Sequence, residues 1–298
     1  MLSHPTRCGV FLLALLAAHL SCAETGSQPG GSTLRYGANP AAGHTFMHDG
    51  VQLYYETYGE GEPLLIVHGN GGSIADLAAQ IAHFRAHYRV IAMDSRDQGR
   101  SGDSPDELTY DRMTDDLAAL LDHLNAAPAH VLGWSDGGIQ ALLLAIRYPT
   151  KVNRIVAMAA NLNPTEDAFQ TQVLGFLKTY IEAIPATDEP AAQRERKVAS
   201  IMLQQPDIDP QRLETITAPV LVLAGDRDLI RDEHTLEIYH RIPNSQLAIF
   251  PNATHALPFD DPISFNAVVE RFLGTPLEPK DRLNDLIKSL EKMRESQQ

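Results

Sequence analysis

The hexapeptide Gly133-Trp134-Ser135-Asp136-Gly137-Gly138 constrains the fold of this chain more than any other segment. It joins a β-rich run, HVLGW at 130–134, to a helix-period run, GGIQALLLAI at 137–146. A strand that passes into a helix across one residue needs a sharp turn, and the serine at its apex takes strained dihedrals. Small residues two before and two after it let strand and helix close on each other. The hydroxyl then projects from the end of the strand, with a helix N-terminus behind it that favours negative charge.

The rest of the chain has the alternation that such a turn demands. Strand-like runs are VQLYYETYG (51–59), LLIV (64–67), RVIAMD (89–94), HVLGW (130–134), RIVAMAA (154–160), VLVLAG (220–225) and QLAIF (246–250). Helix-period segments fall between them at 74–86, 110–125, 137–147, 232–242 and 261–273. Short apolar strands alternating with helices predict a mostly parallel sheet covered on both faces. Ligands of such sheets bind beyond the carboxyl ends of the strands.

Between Ala160 and Pro219 the rhythm stops, and the segment is helical in character. Phe169, Val173, Phe176, Leu177, Tyr180 and Ile181 recur there at spacings of three and four, so a helical cap is expected over 161–215. The core is then 44–160 and 216–274. Residues 275–298 form an amphipathic C-terminal helix with an apolar stripe of Leu283, Leu286, Ile287, Leu290 and Met293. That stripe either docks on the body or mediates self-association.

A serine nucleophile needs a base, and the base needs a carboxylate to orient it. VLVLAG ends in Gly225-Asp226-Arg227-Asp228, and QLAIF leads to Pro251-Asn252-Ala253-Thr254-His255. Nucleophile Ser135, acid and base His255 therefore each follow a strand end, in the chain order Ser, Asp, His. The fourth residue of the turn from Gly225 comes round toward the site, which selects Asp228 as the acid and leaves Asp226 as its rival. The oxyanion needs main-chain donors. Asp136 supplies one, and the glycine-rich run His68-Gly69-Asn70-Gly71-Gly72 supplies the other from Asn70. Asp136, Gly71 and Trp134 are candidate substrate contacts.

Competing chemistries are missing from the sequence. There is no HExxH, no Cys/His metal spacing and no Walker pattern, so neither metal nor organic cofactor is expected. The net charge of −14, without a basic stripe, excludes nucleic acid as a partner and leaves a small-molecule substrate.

The N-terminus reads as an export signal over residues 1–23. Arg7 is its positive end, Val10 to Leu20 its apolar run, and Ser21-Cys22-Ala23 a small-x-small cleavage site. The run is short for a bilayer span, so no integral membrane segment is expected and the protein should be periplasmic or secreted. An alternative is a lipid anchor on Cys22, although His19 stands where that pattern has an aliphatic residue. Both cysteines, Cys8 and Cys22, lie in this segment, so cleavage after Ala23 leaves no thiol. Residues 24–43, rich in Gly, Ser, Pro and Ala, are expected to be a flexible linker.

These motifs resemble the α/β-hydrolase superfamily over about residues 44–274, through HGNGG, DSRDQGRSG (94–102), LGWSDGG (132–138), the Gly225 to Asp228 turn and the His255 loop. The branch containing valacyclovir hydrolase and the biphenyl hydrolase-like proteins is similar in its GWSDGG elbow and small helical cap. The resemblance implies a mostly parallel sheet of about eight strands with helices on both faces, and a carboxylic ester hydrolase working through an acyl-enzyme. In that branch the acidic residue after the nucleophile recognises the amino group of amino-acid esters, which implies an amine-recognition role for Asp136. The chain departs from the pattern D-x-R-G-x-G-x-S at Asp97, where relatives have Gly, and at Gln98, where His or Tyr is frequent. Lactone, thioester and C–C bond hydrolysis are alternatives on the same triad, and a non-catalytic binding module of this fold is the alternative from another class.

Overall fold

The computed structural model describes residues 34–277 and 282–296. Among the described residues the first elements are β1 (Gly43–His48), β2 (Val51–Tyr58), β3 (Glu62–Val67), α1 (Ala78–Phe84) and β4 (Tyr88–Met93). The chain continues through α2 (Tyr110–His123), β5 (Ala129–Trp134), α3 (Asp136–Arg147) and β6 (Val152–Met158). Two helices follow without an intervening strand, α4 (Thr171–Ala183) and α5 (Pro190–Gln204). The last elements are β7 (Val220–Arg227), α6 (Asp232–Arg241), β8 (Ser245–Thr254), α7 (Leu257–Asp260), α8 (Pro262–Gly274) and α9 (Arg282–Glu295).

The strands form one eight-stranded sheet in the order β1-β2-β4-β3-β5-β6-β7-β8. The β1/β2 and β2/β4 pairs are antiparallel, and every pair from β4 to β8 is parallel. Parallel strands buried on both faces explain the continuous apolar runs in the sequence. In β3, Leu65 and Val67 turn to the face carrying α2 and α3, while Leu64 and Ile66 turn to the face carrying α1 and α8. Val131 and Leu132 of β5 divide in the same way. Each fully buried aliphatic side chain contributes about 1.5–3 kcal/mol. Side-chain caps start two of the covering helices: Thr109 accepts from the Arg112 N–H ahead of α2, and Asp261 from the Ser264 N–H ahead of α8.

The structure corrects the expected linker at its C-terminal end. The Gly37 and Asn39 N–H groups donate to the Glu56 carboxylate at 2.7 and 2.9 Å, and the Tyr54 and Tyr58 hydroxyls donate to it as well. Glu56 is fully buried, and these bonds hold the chain ahead of β1 against the sheet. β1 itself was not among the strand-like runs. It pairs with β2 through a tight turn at Asp49 and Gly50, both with positive φ, which is the Asp-Gly hairpin signal.

Residues 1–23, with Cys22 and the expected export signal, lie outside the described residues, as does the first half of the expected linker. Among the described residues no helix is long and apolar enough to cross a membrane. Leu286, Ile287, Leu290 and Met293 of α9 are exposed.

The parallel order brings the carboxyl ends of β3, β5, β7 and β8 to one edge of the sheet. The segments that follow these ends build the site.

Candidate active site

Ser135 stands between β5 and α3 with φ +56° and ψ −118°, a combination that non-glycine residues seldom adopt. The flanking glycines make the turn possible. A Cβ on Gly137 would lie 2.2 Å from the Val67 carbonyl oxygen, and one on Gly133 would lie 2.0 Å from the Gly137 oxygen. The Ser135 N–H donates to the Met158 carbonyl at 2.9 Å, which ties the apex of the turn to β6.

His255 directly follows β8. Its Nδ1 donates to Asp228 Oδ1 at 2.7 Å, and its Nε2 accepts from the Ser135 hydroxyl at 2.9 Å. Both His255 and Asp228 are buried, whereas Ser135 is partly exposed. Asp228 Oδ1 also accepts from the Ile230 N–H at 3.1 Å, so the carboxylate is held from two sides. Asp226 is exposed, and its Oδ1 accepts from the Ala253 N–H at 3.3 Å. The acid facing the base is thus Asp228.

The turn that carries Asp228 is zipped to the chain entering the cap. Phe169 and Ile230 form an antiparallel bridge, the Gln170 N–H donates to the Leu229 carbonyl, and the Arg231 N–H donates to the Ala168 carbonyl. His234 supports this region from below. Its Nε2 accepts from the Leu162 N–H at 2.9 Å, and burial pushes its pKa down to about 4.

Trp134 is turned away from the position of a substrate contact. Its indole N–H donates to the His255 carbonyl at 2.8 Å, its ring packs edge-on against Phe259, and it is 6% exposed. It forms the wall behind the base.

On the opposite side of Ser135 the two residues expected to line the oxyanion stand together. Asn70 Nδ2 donates to Asp136 Oδ2 and to the Val198 carbonyl of α5, both at 2.9 Å. Asp136 Oδ1 accepts from the Tyr110 hydroxyl at 2.8 Å, so both carboxylate oxygens are engaged. Burial raises the Asp136 carboxyl above the usual range, and the Asn70 and Tyr110 hydrogen bonds oppose that rise. Burial and the neighbouring Asp136 raise the Tyr110 phenol well above its ordinary value. Gly71 is exposed, with φ +66°, and its N–H donates to Gln98 Oε1 at 2.7 Å. His68 ties two loops together: its Nε2 accepts from the Ser95 N–H at 3.0 Å, and its Nδ1 donates to the Gly69 carbonyl at 2.7 Å.

Sequence reasoning did not place Tyr110, Lys197 or Val198 near this site. Tyr110 begins an ordinary amphipathic helix, and the two α5 residues lie far along the chain, so local pattern carries no sign of them. Gln98 had a signal, its departure from the common pattern.

An eight-stranded sheet with a serine elbow and an Asp–His relay at its carboxyl edge defines a class, the hydrolases of this fold. A model of the alpha/beta hydrolase fold matches residues 62–194. The serine hydrolase BPHL of Mus musculus is 30% identical over 245 residues, covering 76% of this chain and 84% of that protein. The 3-oxoadipate enol-lactonase 2 of Acinetobacter baylyi is 29% identical over 248 residues, covering 74% of this chain and 92% of that protein. A solved hydrolase from Pseudomonas aeruginosa PA01 superposes with a TM-score of 0.68 at 24% identity, over 80% of this chain and all of that one. The chain belongs to the alpha/beta hydrolase fold family.

Proposed function

We propose that this protein is a serine hydrolase that cleaves small-molecule carboxylic esters through an acyl-enzyme. The observation that carries the reading is the continuous relay from Asp228 through His255 to a partly exposed Ser135 Oγ. His255 Nε2 takes the Ser135 proton as Oγ attacks the ester carbonyl. The Asn70 and Asp136 main-chain N–H groups would receive the tetrahedral oxyanion. His255 then gives the proton to the departing alcohol. Water, activated by the same imidazole, attacks the acyl-enzyme and releases the acid and free Ser135.

Neutral esters suit the site better than amine-bearing ones. Asp136 is 5% exposed and its oxygens already accept from Asn70 and Tyr110, which leaves an ammonium group little access to the carboxylate. Lactone opening uses the same steps, and the similarity to a protein named an enol-lactonase favours it as the second reading. Residues 1–23 further suggest export, which the mass of the mature N-terminus would test against acylation at Cys22.

The functional test is labelling with a fluorophosphonate probe alongside turnover of p-nitrophenyl esters and simple lactones. Wild type should label and turn over at least one of these classes, and Ser135→Ala should do neither. An unlabelled wild type, or a Ser135→Ala variant that labels as well as wild type, overturns the proposal.

A further inference from the structure

Of the two positions that depart from the family pattern, Asp97 is joined to the cap and Gln98 to the loop that carries Asn70. Asp97 sits at φ +62° and is 2% exposed. Left-handed backbone is unfavourable for an L-residue other than glycine, and it persists where surrounding contacts over-determine it. Here the contacts are plain. Asp97 Oδ1 accepts from the Ser104 N–H at 2.9 Å and from Lys197 Nζ at 3.0 Å, and Lys197 Nζ also donates to the Ser104 carbonyl at 2.7 Å. The next residue of the same helix, Val198, accepts from Asn70 Nδ2, and the next residue of the loop, Gln98, accepts from the Gly71 N–H.

Two consecutive residues of α5 therefore grip the Asn70–Gly71 segment, one directly and one through Asp97 and Gln98. We propose that Lys197 and Asp97 are positioning residues. They form a latch that seats α5 on the loop carrying the Asn70 donor, so that the oxyanion donors reach their working geometry only with the cap in place. The inference rests on the serine-hydrolase reading above. The pair is suited to opening as well as closing. The Lys197 side chain is 26% exposed and can return to water when α5 lifts, while Asp97 keeps the Ser104 N–H. Neither residue touches the reacting atoms. Their effect passes through Asn70 and Gly71.

Asp97→Gly separates positioning from stability. It removes the acceptor for Lys197 and for the Ser104 N–H, a loss that the relief of left-handed strain offsets, and the freed ammonium can solvate. The melting temperature should therefore hold within about 3 °C. The latch requires kcat for a p-nitrophenyl ester to fall about 10-fold or more, because small displacements at a reacting centre are costly. KM should stay within about 2-fold, since substrate binding is not the affected step. Fluorophosphonate labelling should slow in the same proportion as kcat, because the phosphonyl oxygen uses the same donors. Lys197→Met should lower kcat similarly, Lys197→Arg should restore most of it, and the double variant Asp97→Gly/Lys197→Met should be no slower than the worse single one.

Unchanged kcat in Asp97→Gly and Lys197→Met, with wild type labelling normally, overturns the latch and leaves the serine-hydrolase reading intact. Additive losses in the double variant, or losses that follow the melting temperature, overturn it as well. A wild type that does not label removes the reading on which the latch rests.

Discussion

Replacing Asp228 with Asn tests the relay at its most specific point. Asp228 Oδ1 accepts both from His255 Nδ1, at 2.7 Å, and from the Ile230 N–H, at 3.1 Å. An asparagine amide oxygen can occupy that position and keep both bonds, so ring orientation and tautomer survive. What disappears is the negative charge that favours the imidazolium formed as Ser135 loses its proton. Opposite unit charges about 4 Å apart attract by about 4 kcal/mol at an effective dielectric of about 20. At 1.36 kcal/mol per decade, that loss corresponds to a drop in kcat of roughly 10³-fold. If the amide instead turns its NH₂ to the ring, the tautomer is wrong and the loss grows toward about 10⁴-fold. The melting temperature should move by no more than about 5 °C, since no cavity forms. The control is Asp226→Asn. Its carboxylate is 40% exposed and 3.9 Å from Arg227 Nε, so solvent screens it and kcat should stay within about 3-fold. The assay is initial-rate kinetics on a p-nitrophenyl ester, with thermal melts of both variants. An Asp228→Asn enzyme that keeps more than a tenth of the wild-type kcat, or an Asp226→Asn enzyme that loses as much, would refute the reasoning.

Two further perturbations probe the frame around the site. In Gly137→Ala the new methyl meets the Val67 oxygen at 2.2 Å and the His68 oxygen at 2.9 Å, both backbone. The elbow must shift, so we expect about 1–3 kcal/mol of destabilisation in urea melts and a kcat loss of about 100-fold; a fully active Gly137→Ala enzyme would contradict the close strand–helix contact. His234 gives a pH dependence. Its folded pKa of about 4 lies below the unfolded value of 6.5, so its contribution is present above the unfolded value and is lost as pH falls toward 4. Linkage makes that loss about 2 kcal/mol between pH 7 and pH 5. His234→Gln should flatten the fall in denaturant midpoint over that range, and an equally steep fall in the variant would show that other groups carry it.

Much of this protein is legible in its sequence. The glycines around Ser135 announced a strand–helix elbow because the conformation they permit is local. Apolar runs announced parallel strands because burial on both faces leaves no alternation. The Asp-Gly pair at 49–50 also carried a hairpin signal, but β1 has one buried side chain, Phe46, and so lacked an apolar run to mark it. The end of the linker was misjudged for a related reason. Its composition is flexible, and only the buried Glu56 carboxylate, a partner from β2, gives residues 37 and 39 something to bind.

Within the site the division is sharper. The Ser, Asp, His order and the placement of each after a strand follow from periodicity and turn residues, which are properties of neighbours in the chain. The turn from Gly225 already favours Asp228 over Asp226, and the fold adds a zipper between 168–170 and 229–231 that no local preference encodes. Trp134 reads as a candidate substrate contact, and the family resemblance implies the same of Asp136. The folded chain gives the indole to the His255 carbonyl and both Asp136 oxygens to Asn70 and Tyr110. Lys197 joins Asp97 across 100 residues of sequence. Short-range sterics and hydrophobic period wrote the elbow, the strand ends and the order of the catalytic candidates into the sequence. The aim of each side chain was left to tertiary packing, because a hydrogen bond goes to whichever partner the fold brings within about 3 Å.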